Sequence, residues 1–582
     1  MCGIAGYIGP KNADQVLIVA LERLKYRGYD SAGMVISDKN ALHLRRAAGK
    51  LKELDTKLLA QPVVGYCGIA HTRWATHGPP IERNSHPHLS ADGRVGVVHN
   101  GIIENHASLR RELEGEGVKF QSDTDTEVIP HLIAKYYDGK DPVAAVRKAL
   151  ARLEGAFAIA VIFADRADRI IVARQGSPLL VGRGRAPKTS TTNSDRRSTD
   201  GGTPWMEREL LVASDIPALL PHASEYLILD DGMIADLGPH GVHLCTFDGV
   251  KAEAKFRPIE ITADAVTKGT FDSFMAKEIA EQPSVLARLV DSRLRSGELV
   301  QPDLGIDLAS LRHVVFLACG TSWHAALLGK RFLENLARVH VEVDISSEYR
   351  YRNPVAEGDT LVVAISQSGE TADTLAGVRL AKSKFIPVVG LVNVVTSTIA
   401  REANGVMPLL AGPEIGVAST KAYTAQVMAL FLFAAQVAKA KKLLPKDAEA
   451  ALVAAALGIP ALAEQTLKLC ENSVEEAADL YSAAQASVFL GRGGEHPTAL
   501  EGALKLKEIA YIHAVGYPAG EFKHGPIALV TRHLPVICIC PRDQMYEKML
   551  SNLQEVKARA GRIIAVGDAA DRDLRDLGEP VD

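Results

Sequence analysis

The pattern of hydrophobic and polar positions changes at about residue 305. Before about residue 180, short apolar runs alternate with turns and with two helical periods. Short strands mixed with amphipathic helices are typical of stacked sheets that carry helices on their outer faces. We therefore predict stacked mixed sheets flanked by helices. The apolar runs are residues 2–8, 65–70, 95–98 and 156–163, and the helical periods are residues 14–26 and 125–137.

Beyond residue 305, fully apolar runs at residues 313–318, 360–365 and 386–393 are each followed by a turn and a long helical segment. Alternating apolar strands and helices predict a doubly wound parallel sheet. An alanine-rich helix is expected at residues 446–469, with a break near Pro460. The strand pattern returns at residues 487–490.

This return is an internal repeat. Residues 315–320 (Val-Phe-Leu-Ala-Cys-Gly) align with residues 488–493 (Val-Phe-Leu-Gly-Arg-Gly), an offset of 173 positions. Chance similarity between two strand–turn–helix units is the alternative, but two related α/β domains in tandem are the better interpretation. The second repeat spans about 110 residues against about 140 for the first, so we expect it to be incomplete.

Composition excludes several classes of protein. Of 582 residues, 47% are hydrophobic and 23% are charged, and the net charge is −4. These values exclude a disordered chain and a disulfide scaffold, and they call for neither nucleic acid nor an anionic membrane as partner. Seven scattered cysteines indicate a reducing, cytoplasmic setting. Cys538 and Cys540 lie in an apolar run, so we expect buried strand residues there and no metal site.

Four further segments bear on localisation and local structure. The longest apolar stretch, residues 427–438, is interrupted by Gln436 and is shorter than a membrane span, so it predicts a buried helix. No basic region precedes an apolar core at the N-terminus, so we expect no secretory signal. Residues 184–203 are polar and of low complexity, which predicts a surface loop. Residues 230–232 (Asp-Asp-Gly) predict a turn between two strands.

The first candidate for chemistry is Cys2. If Met1 is removed, Cys2 carries its own α-amino group, whose pKa near 7.7–8.0 suits a base for the thiol. The nucleophile and the base then belong to one residue, which is the arrangement used by N-terminal nucleophile hydrolases. The alternative is a small buried residue at the start of a strand.

Three polar segments offer partners for this thiol. Residues 71–78 (His-Thr-Arg-Trp-Ala-Thr-His-Gly) follow a strand and supply a guanidinium for a carboxylate. Residues 99–101 (His-Asn-Gly) end a strand and supply oxyanion donors. Residues 122–127 (Ser-Asp-Thr-Asp-Thr-Glu) open a helix, where one Asp or Thr is expected as the N-cap and a second carboxylate can pair with an ammonium. The alternatives are a structural ion pair, a hairpin turn and a helix terminus, respectively.

Together with residues 2–9 and 27–31 (Arg-Gly-Tyr-Asp-Ser), these segments occur in the order seen in class II glutamine amidotransferases. The resemblance implies that Cys2 attacks the glutamine amide and forms a thioester, with Asn100 and Gly101 as the oxyanion hole. It implies that Arg73, Thr76 and His77 hold the substrate carboxylate. It also implies that Asp125 holds the ammonium, Arg27 supports the nucleophile and Trp74 gates ammonia passage.

A second group of polar turns follows the predicted parallel strands: residues 319–322 (Cys-Gly-Thr-Ser), 366–371 (Ser-Gln-Ser-Gly-Glu-Thr) and 417–421 (Val-Ala-Ser-Thr-Lys). Hydroxyls and free N–H groups at helix starts can bind a phosphate at the carboxyl edge of such a sheet. The alternative is ordinary N-capping. Glu501, Lys505 and Glu508 share one helix face, which is otherwise typical of a solvated charged surface.

These segments resemble the paired sugar isomerase (SIS) domains of glutamine:fructose-6-phosphate amidotransferases, as do residues 275–279, residues 282–283 and residues 501–524. The resemblance implies that Glu508 moves a proton between sugar carbons C1 and C2 and that His524 assists ring opening, with Lys505 nearby. The implied sugar-phosphate residues are Cys319, Gly320, Thr321, Ser322, Ser366, Gln367, Ser368, Thr371, Val417, Ser419 and Glu501.

The resemblance implies an α/β protein with an N-terminal nucleophile α-β-β-α domain and two doubly wound SIS domains, the second incomplete. It implies transfer of the amide nitrogen of glutamine to fructose 6-phosphate, no cofactor, no metal and a homodimer. The family's C-terminal tail with its Ala-Lys pair is not found, so the alternative is a glutaminase whose SIS region binds sugar phosphate without synthase activity. Phosphoribosyl amidotransferases and asparagine synthetases share the N-terminal domain, but their acceptor-binding loops are not found. The expected domains are residues 1–250, a linker at 251–304, and residues 305–450 and 473–582.

Overall fold

A computed structural model describes residues 2–38, 40–184, 208–260, 267–355, 359–568 and 570–577. The chain forms two compact units, Met1–Val266 (unit 1) and Thr267–Asp582 (unit 2). The polar segment at residues 184–203, apart from Gly184, lies outside the described residues.

Unit 1 contains two antiparallel sheets, because its alternating strands each bury one face against the opposite sheet. The first sheet has eight strands in the order β15-β11-β9-β10-β1-β4-β2-β3. These strands are β1 (Gly3–Ile8), β2 (Ser31–Asp38), β3 (Ala41–Ala48), β4 (Cys67–Arg73), β9 (Leu180–Arg183), β10 (Leu210–Ala213), β11 (Glu225–Ile228) and β15 (Arg257–Pro258).

The second sheet of unit 1 has seven strands in the order β14-β13-β12-β8-β7-β6-β5. Apolar side chains from both sheets, such as Ile69 of the first and Ala158 of the second, form one core between them. The strands are β5 (His88–Leu89), β6 (Val95–Ile103), β7 (Gly155–Phe163), β8 (Arg166–Gln175), β12 (Met233–Gly238), β13 (Gly241–Thr246) and β14 (Lys251–Ala252).

Helices cover both outer faces of this sandwich. Two helices pack on the first sheet and three on the second, each through an apolar stripe. The layers are therefore α-β-β-α, and the fold class expected for unit 1 is confirmed. The helices are α1 (Ala13–Glu22), α2 (Leu51–Ala60), α3 (His106–Gly115), α4 (Val128–Tyr136) and α5 (Pro142–Leu150).

Two local expectations in unit 1 are wrong. Residues 99–101 do not end a strand, because β6 continues to Ile103 and Gly101 pairs with Phe157 of β7. No Asp or Thr of residues 122–127 caps α4: Glu127 is the N-cap residue, and its carboxylate accepts from Gln121 and Ser122 instead. The turn predicted at residues 230–232 is confirmed, and the two strands that it joins, β11 and β12, belong to different sheets.

Unit 2 contains two parallel sheets. The first has the order β19-β18-β20-β21-β22, with apolar helix faces on both sides, as expected for a doubly wound domain. Its strands are β18 (His313–Ala318), β19 (His340–Ile345), β20 (Thr360–Ser366), β21 (Val388–Val392) and β22 (Gly405–Pro408), and a hairpin of β16 (Leu294–Arg295) and β17 (Glu298–Leu299) precedes them. Its helices are α6 (Phe274–Ser292), α7 (Thr321–Phe332), α8 (Ser346–Tyr349), α9 (Ala372–Ser383), α10 (Thr398–Glu402), α11 (Lys421–Ala440) and α12 (Lys446–Tyr481).

The second sheet of unit 2 has four strands in the order β24-β23-β25-β26. This order matches the first four positions of the preceding sheet, and β23 begins 173 residues after β18, so the tandem repeat is seen in the fold. Cys538, fully buried, lies in β25 as expected. The elements are β23 (Ala486–Gly491), α13 (Glu495–Ala510), β24 (His513–Pro518), β25 (Pro535–Ile539), α14 (Tyr546–Lys557), β26 (Arg562–Val566) and α15 (Arg572–Leu577).

Helix α12 differs from the expectation. It runs without a break through Pro460 for 36 residues, because packing on both sides of the proline, at Val453 and at Ala463, continues the helix. Its segment Lys446–Asp479 is long and apolar enough to cross a membrane by length and composition, and only 11% of the most apolar window is buried. One such helix is weak support for a membrane span. Residues 427–438, in contrast, lie in the buried helix α11, as predicted.

Candidate active site

Cys2 lies immediately before β1, which pairs with β4 so that Gly3 stands opposite Thr72. This register brings the Cys2 thiol to the end of β4, where the backbone N–H of Trp74 donates to Sγ at 3.2 Å. Asp30 fixes the same segment, since its carboxylate accepts from the Ala75 N–H at 2.8 Å. The residues after β4 thus form the wall beside the thiol.

The charge state of the Cys2 thiol is set by opposing effects. Burial raises its pKa, whereas the hydrogen bond from Trp74 and the positive charges of the N-terminus, Arg73 and Arg27 lower it, and the net direction is upward. The thiol is therefore protonated near neutral pH, and it needs a base before it can act as a nucleophile.

Asn100 reaches Cys2 from the second sheet of unit 1. Its side-chain amide donates to the Cys2 carbonyl at 3.0 Å. Gly101 follows in the same strand with φ +127°, and an added Cβ there would lie 1.9 Å from the Ala156 carbonyl oxygen, so only glycine fits the strand at this point. The Asn100 amide therefore lies beside Cys2 without belonging to a turn.

A cluster of buried histidines lies behind Asn100. His71 Nε2 is 2.9 Å from Asn100 Oδ1, and the His71 ring stacks on His86 with centroids 4.3 Å apart. His88 and His99 bond to the hydroxyls of Thr124 and Thr126. Burial lowers the pKa of His71 and of His88 to about 3 each, and that of His86 well below its ordinary range. The cluster is neutral at physiological pH.

Four of the predicted glutamine-binding residues lie at the end of β4 and in the loop after it. Arg73 is buried, and its guanidinium donates to the backbone carbonyls of His77, Gly78 and Pro79. It therefore shapes the loop that carries Thr76 and His77, whose side chains are 3.4 Å apart. Trp74 is 42% exposed, and its ring meets Tyr29 edge-on.

Two charged residues complete the surroundings. Asp125 is buried, and its carboxylate accepts from the Ile103 N–H at 2.8 Å, at the end of the strand that carries Asn100. Arg27 is also buried and forms an ion pair with Asp215 at 3.5 Å. Both groups are fixed by contacts within unit 1.

In unit 2, the turn at residues 366–371 follows β20 and leads into α9. The Ser366 hydroxyl accepts from the Gly369 N–H at 3.0 Å and contacts the Thr371 hydroxyl at 2.9 Å. Glu370 points away from the turn and bonds to Thr398 at the start of α10. The hydroxyls of Ser368 and Thr371 and the side chain of Gln367 are partly exposed at the helix start. Such an arrangement suits an anion.

The turn after β18 meets α13 through a network of charges. Glu501 accepts from the Thr321 hydroxyl at 3.0 Å and pairs with His324 Nδ1 at 2.7 Å. Lys505 donates to Thr321 at 3.0 Å and to Glu508 at 2.7 Å. These contacts join the two repeats of unit 2 and bring the predicted Glu501, Lys505 and Glu508 to the predicted Thr321.

Other predicted sugar residues have different surroundings. The Ser322 hydroxyl accepts from Gln426 of α11, so it holds two helices together. Cys319 lies 3.8 Å from the Thr374 hydroxyl, and Gly320 is the N-cap of α7. Val417 is 48% exposed, and Ser419 donates to Glu414 within the same loop.

His524 is exposed in the loop after β24, and in the described part of unit 2 it is outside the network of Glu501 and Lys505. Two residues beside the predicted sites were given no role of their own in the sequence analysis: His71 and His324. His71 lies two positions after the buried Ile69 in a strand, so both side chains lie on one face of the sheet. His324 lies one helical turn after Thr321, so these two side chains also share a face. The periodicity of strand and helix could therefore have pointed to both histidines. Among the described residues, no group of three or more His, Cys, Asp or Glu side chains could hold a metal ion.

Comparisons with known proteins match both halves of the chain. A glutamine amidotransferase domain profile matches residues 71–190, and an SIS domain profile matches residues 307–436 and 480–577. The solved C-terminal domain of glucosamine-fructose-6-phosphate aminotransferase from Francisella tularensis is 41% identical. It covers 52% of this chain and 86% of that domain, with a TM-score of 0.51.

Full-length relatives were found as well. Glutamine--fructose-6-phosphate aminotransferase (isomerizing) of Aquifex aeolicus is 46% identical over 584 residues, which covers 100% of this chain and 92% of the relative. The protein of the same name from Thermus thermophilus is 44% identical over 582 residues, with the same coverage. The two halves, the order of their sites and this identity over the whole chain place the protein in the family of isomerizing glutamine--fructose-6-phosphate aminotransferases.

Proposed function

We propose that unit 1 releases ammonia from glutamine and that unit 2 uses it to convert fructose 6-phosphate into glucosamine 6-phosphate. Membership of the family makes the chain an aminotransferase. The observation that carries the proposal is the contact between the Asn100 amide and the Cys2 carbonyl, since it sets an oxyanion donor beside a thiol at the N-terminus.

In the first reaction, removal of Met1 frees the α-amino group of Cys2, which takes the thiol proton. Cys2 Sγ then attacks the side-chain amide carbon of glutamine, and the Asn100 amide and the Gly101 N–H stabilise the oxyanion. The C–N bond breaks, the α-ammonium returns its proton to the leaving ammonia, and water hydrolyses the thioester to glutamate. The raised pKa of the thiol is the reason that a base is needed.

The neighbouring groups hold the substrate amino acid. Arg73 shapes the loop in which Thr76 and His77 receive the carboxylate, and Asp125 receives the ammonium. Arg27 supports the segment around Cys2 through its ion pair with Asp215. Trp74, which is partly exposed, gates the passage of ammonia.

In the second reaction, the phosphate binds to Ser366, Gln367, Ser368 and Thr371 at the start of α9. Ammonia adds to C2 of the open-chain sugar and water leaves to give an imine. Glu508 then moves a proton between C1 and C2, and the hydrogen bond from Lys505 holds its carboxylate in place. Assistance to ring opening is assigned to His524. The remaining contacts of the sugar are assigned to Cys319, Gly320, Thr321, Ser322, Val417, Ser419 and Glu501.

We also propose that the protein is a cytoplasmic homodimer that binds neither nucleic acid nor membrane. Large apolar side chains are exposed along α12, with Leu462 56% and Leu469 71% exposed, and a second copy would remove them from water. All seven cysteines are free thiols, which suits a reducing compartment. Sedimentation velocity without lipid or detergent tests the dimer, and a monomer would contradict it.

One assay with two products tests the function. The protein receives glutamine and fructose 6-phosphate, and glutamate and glucosamine 6-phosphate are quantified separately. Equal amounts are expected. Glutamate alone would replace the proposal with a glutaminase whose SIS region lacks synthase activity, and neither product would contradict both reactions.

A further inference from the structure

The segment Phe274–Ser292, helix α6, contains residues 275–283, and no step proposed above uses them. Glu278 is 2% exposed within this helix. A buried carboxylate is costly unless hydrogen bonds satisfy it. The Glu278 carboxylate accepts from the backbone N–H groups of Ile415 and Gly416, at 3.0 and 3.1 Å from the latter. The helix therefore binds a loop that is distant in sequence.

This loop, residues 412–420, has no helix or strand of its own. Its backbone depends on carboxylates for its hydrogen bonds. Glu414 accepts from the N–H groups of Thr420 and Ala422 and from the Ser419 hydroxyl, while Glu278 takes the two N–H groups at the other end. The two carboxylates therefore fix the loop from both ends, with Ile415 buried and Val417 exposed.

Gly416 makes the close approach of the helix possible. A Cβ at this position would lie 2.4 Å from Glu278 Oε2, which is closer than side-chain atoms can come. The glycine in the loop and the glutamate in the helix are therefore matched to each other. Lys421, buried at the start of α11, adds a second tie to α6 through Glu281 at 2.6 Å.

The negative charge of the Glu278 carboxylate and the conformation of the loop at residues 412–420 stabilise each other. Burial, together with the charge of Glu414, raises the pKa of Glu278 to about 7, whereas the donors at Ile415 and Gly416 and the charge of Lys421 oppose that rise. The ionised carboxylate thus depends on the loop N–H groups, and the loop depends on the carboxylate.

We propose that Glu278 is a positioning residue for the sugar site: its carboxylate holds residues 412–420 in the conformation that presents Val417 and Ser419 to the sugar. The inference rests on the proposed contact of Val417 and Ser419 with the sugar. Glu278 itself does not touch substrate.

The test compares Glu278→Gln with Asp291→Asn, an exposed acid on the same helix. Gln keeps the shape of Glu but sets an NH₂ group against the loop donors. We expect the KM for fructose 6-phosphate to rise about tenfold, which corresponds to about 1.4 kcal/mol. Glutamate release with glutamine alone should be unchanged in both variants.

A second variant and a second measurement distinguish the effect of Glu278 on the loop from the contact of the loop with the sugar. Gly416→Ala should reproduce the effect, because the added methyl group displaces the carboxylate. Hydrogen exchange of residues 412–420 should quicken in both variants relative to Asp291→Asn. Unchanged exchange would overturn the role of Glu278. Faster exchange with an unchanged KM would instead show that the loop does not bind the sugar, which contradicts the contact assigned to Val417 and Ser419.

Discussion

His71 Nε2 lies 2.9 Å from Asn100 Oδ1 and 3.0 Å from the backbone carbonyl oxygen of His99. A carbonyl oxygen can only accept, so Nε2 carries the proton of the neutral ring. The same proton-bearing nitrogen must face the oxygen of the Asn100 side chain, and the amide nitrogen is then turned towards Cys2. The histidine thus turns the amide nitrogen of Asn100, the proposed oxyanion donor, towards Cys2.

Replacing His71 with Phe should therefore act on the chemical step. We expect the kcat of glutamine hydrolysis to fall by about 10²–10³-fold, the usual effect of losing one oxyanion donor, while KM changes little. The exposed His240, changed to Gln, is the matched control. A KM increase as large as the loss in kcat would show that His71 only maintains the fold.

The nucleophile is tested by Cys2→Ala. Glutamate release should fall by more than about 10⁴-fold, because no other group can form the thioester. Binding of fructose 6-phosphate to unit 2, measured by calorimetry, should stay within about a factor of two of the parent protein, because Cys2 is assigned no contact with the sugar. Residual glutaminase activity near the parent level would contradict the assignment of Cys2.

The buried histidines predict sensitivity to acid. Burial lowers the pKa of His88 to about 3, whereas an unfolded chain binds a proton near the ordinary value of about 6.5. Between these values the unfolded state holds more protons, so the stability is complete above about 6.5 and is lost as the pH falls. His88→Gln should flatten the pH dependence of the urea midpoint between pH 7.5 and 5. A slope equal to that of the parent and of His240→Gln would contradict this.

The phosphate site is tested by Ser368→Ala. The buried Ser366 hydroxyl bonds to both Gly369 and Thr371, so its removal would disturb the turn more than removal of the partly exposed Ser368 hydroxyl, which accepts from the Glu370 N–H at 3.2 Å. We expect the Kd for fructose 6-phosphate to rise about tenfold, the loss of one hydrogen bond to a charged group. Glutamine hydrolysis should not change. Equal weakening of both substrates would contradict a phosphate site in this turn.

Sequence patterns predicted the parts of the fold in which a single pattern of hydrophobic residues runs through a whole helix or strand. The strand at residues 313–318 has the predicted bounds, because continuous apolar residues between helices fit only a buried parallel strand. Prediction failed where close packing overrides a local signal. Asn100-Gly101 has the composition of a turn, yet Gly101 lies within β6 because the backbone of Ala156 approaches it too closely for a side chain.

The same distinction applies to the sites. The order of Cys2, Arg73 and Asp125 along the chain predicts their roles, and these roles stay predictions. The role of Glu278 could not be predicted in this way, because its partners at Ile415 and Gly416 lie 137 and 138 positions away. Such a contact depends on how a helix packs across a domain. The local pattern of hydrophobic residues in the sequence carries no information about that packing.

The repeat in unit 2 bears on the number of sugar phosphates that one chain would bind under the proposed function. In the first copy, the turn after β20 leaves hydroxyls at a helix start. In the second copy, the turn after β25 contains Pro541, which has no N–H, and the Asp543 carboxylate accepts from the Met545 N–H at 2.8 Å just before α14. A carboxylate therefore lies in the second copy where the first copy has the proposed phosphate turn. We accordingly expect a stoichiometry of one sugar phosphate per chain, with the second copy contributing side chains from α13 rather than a second binding turn.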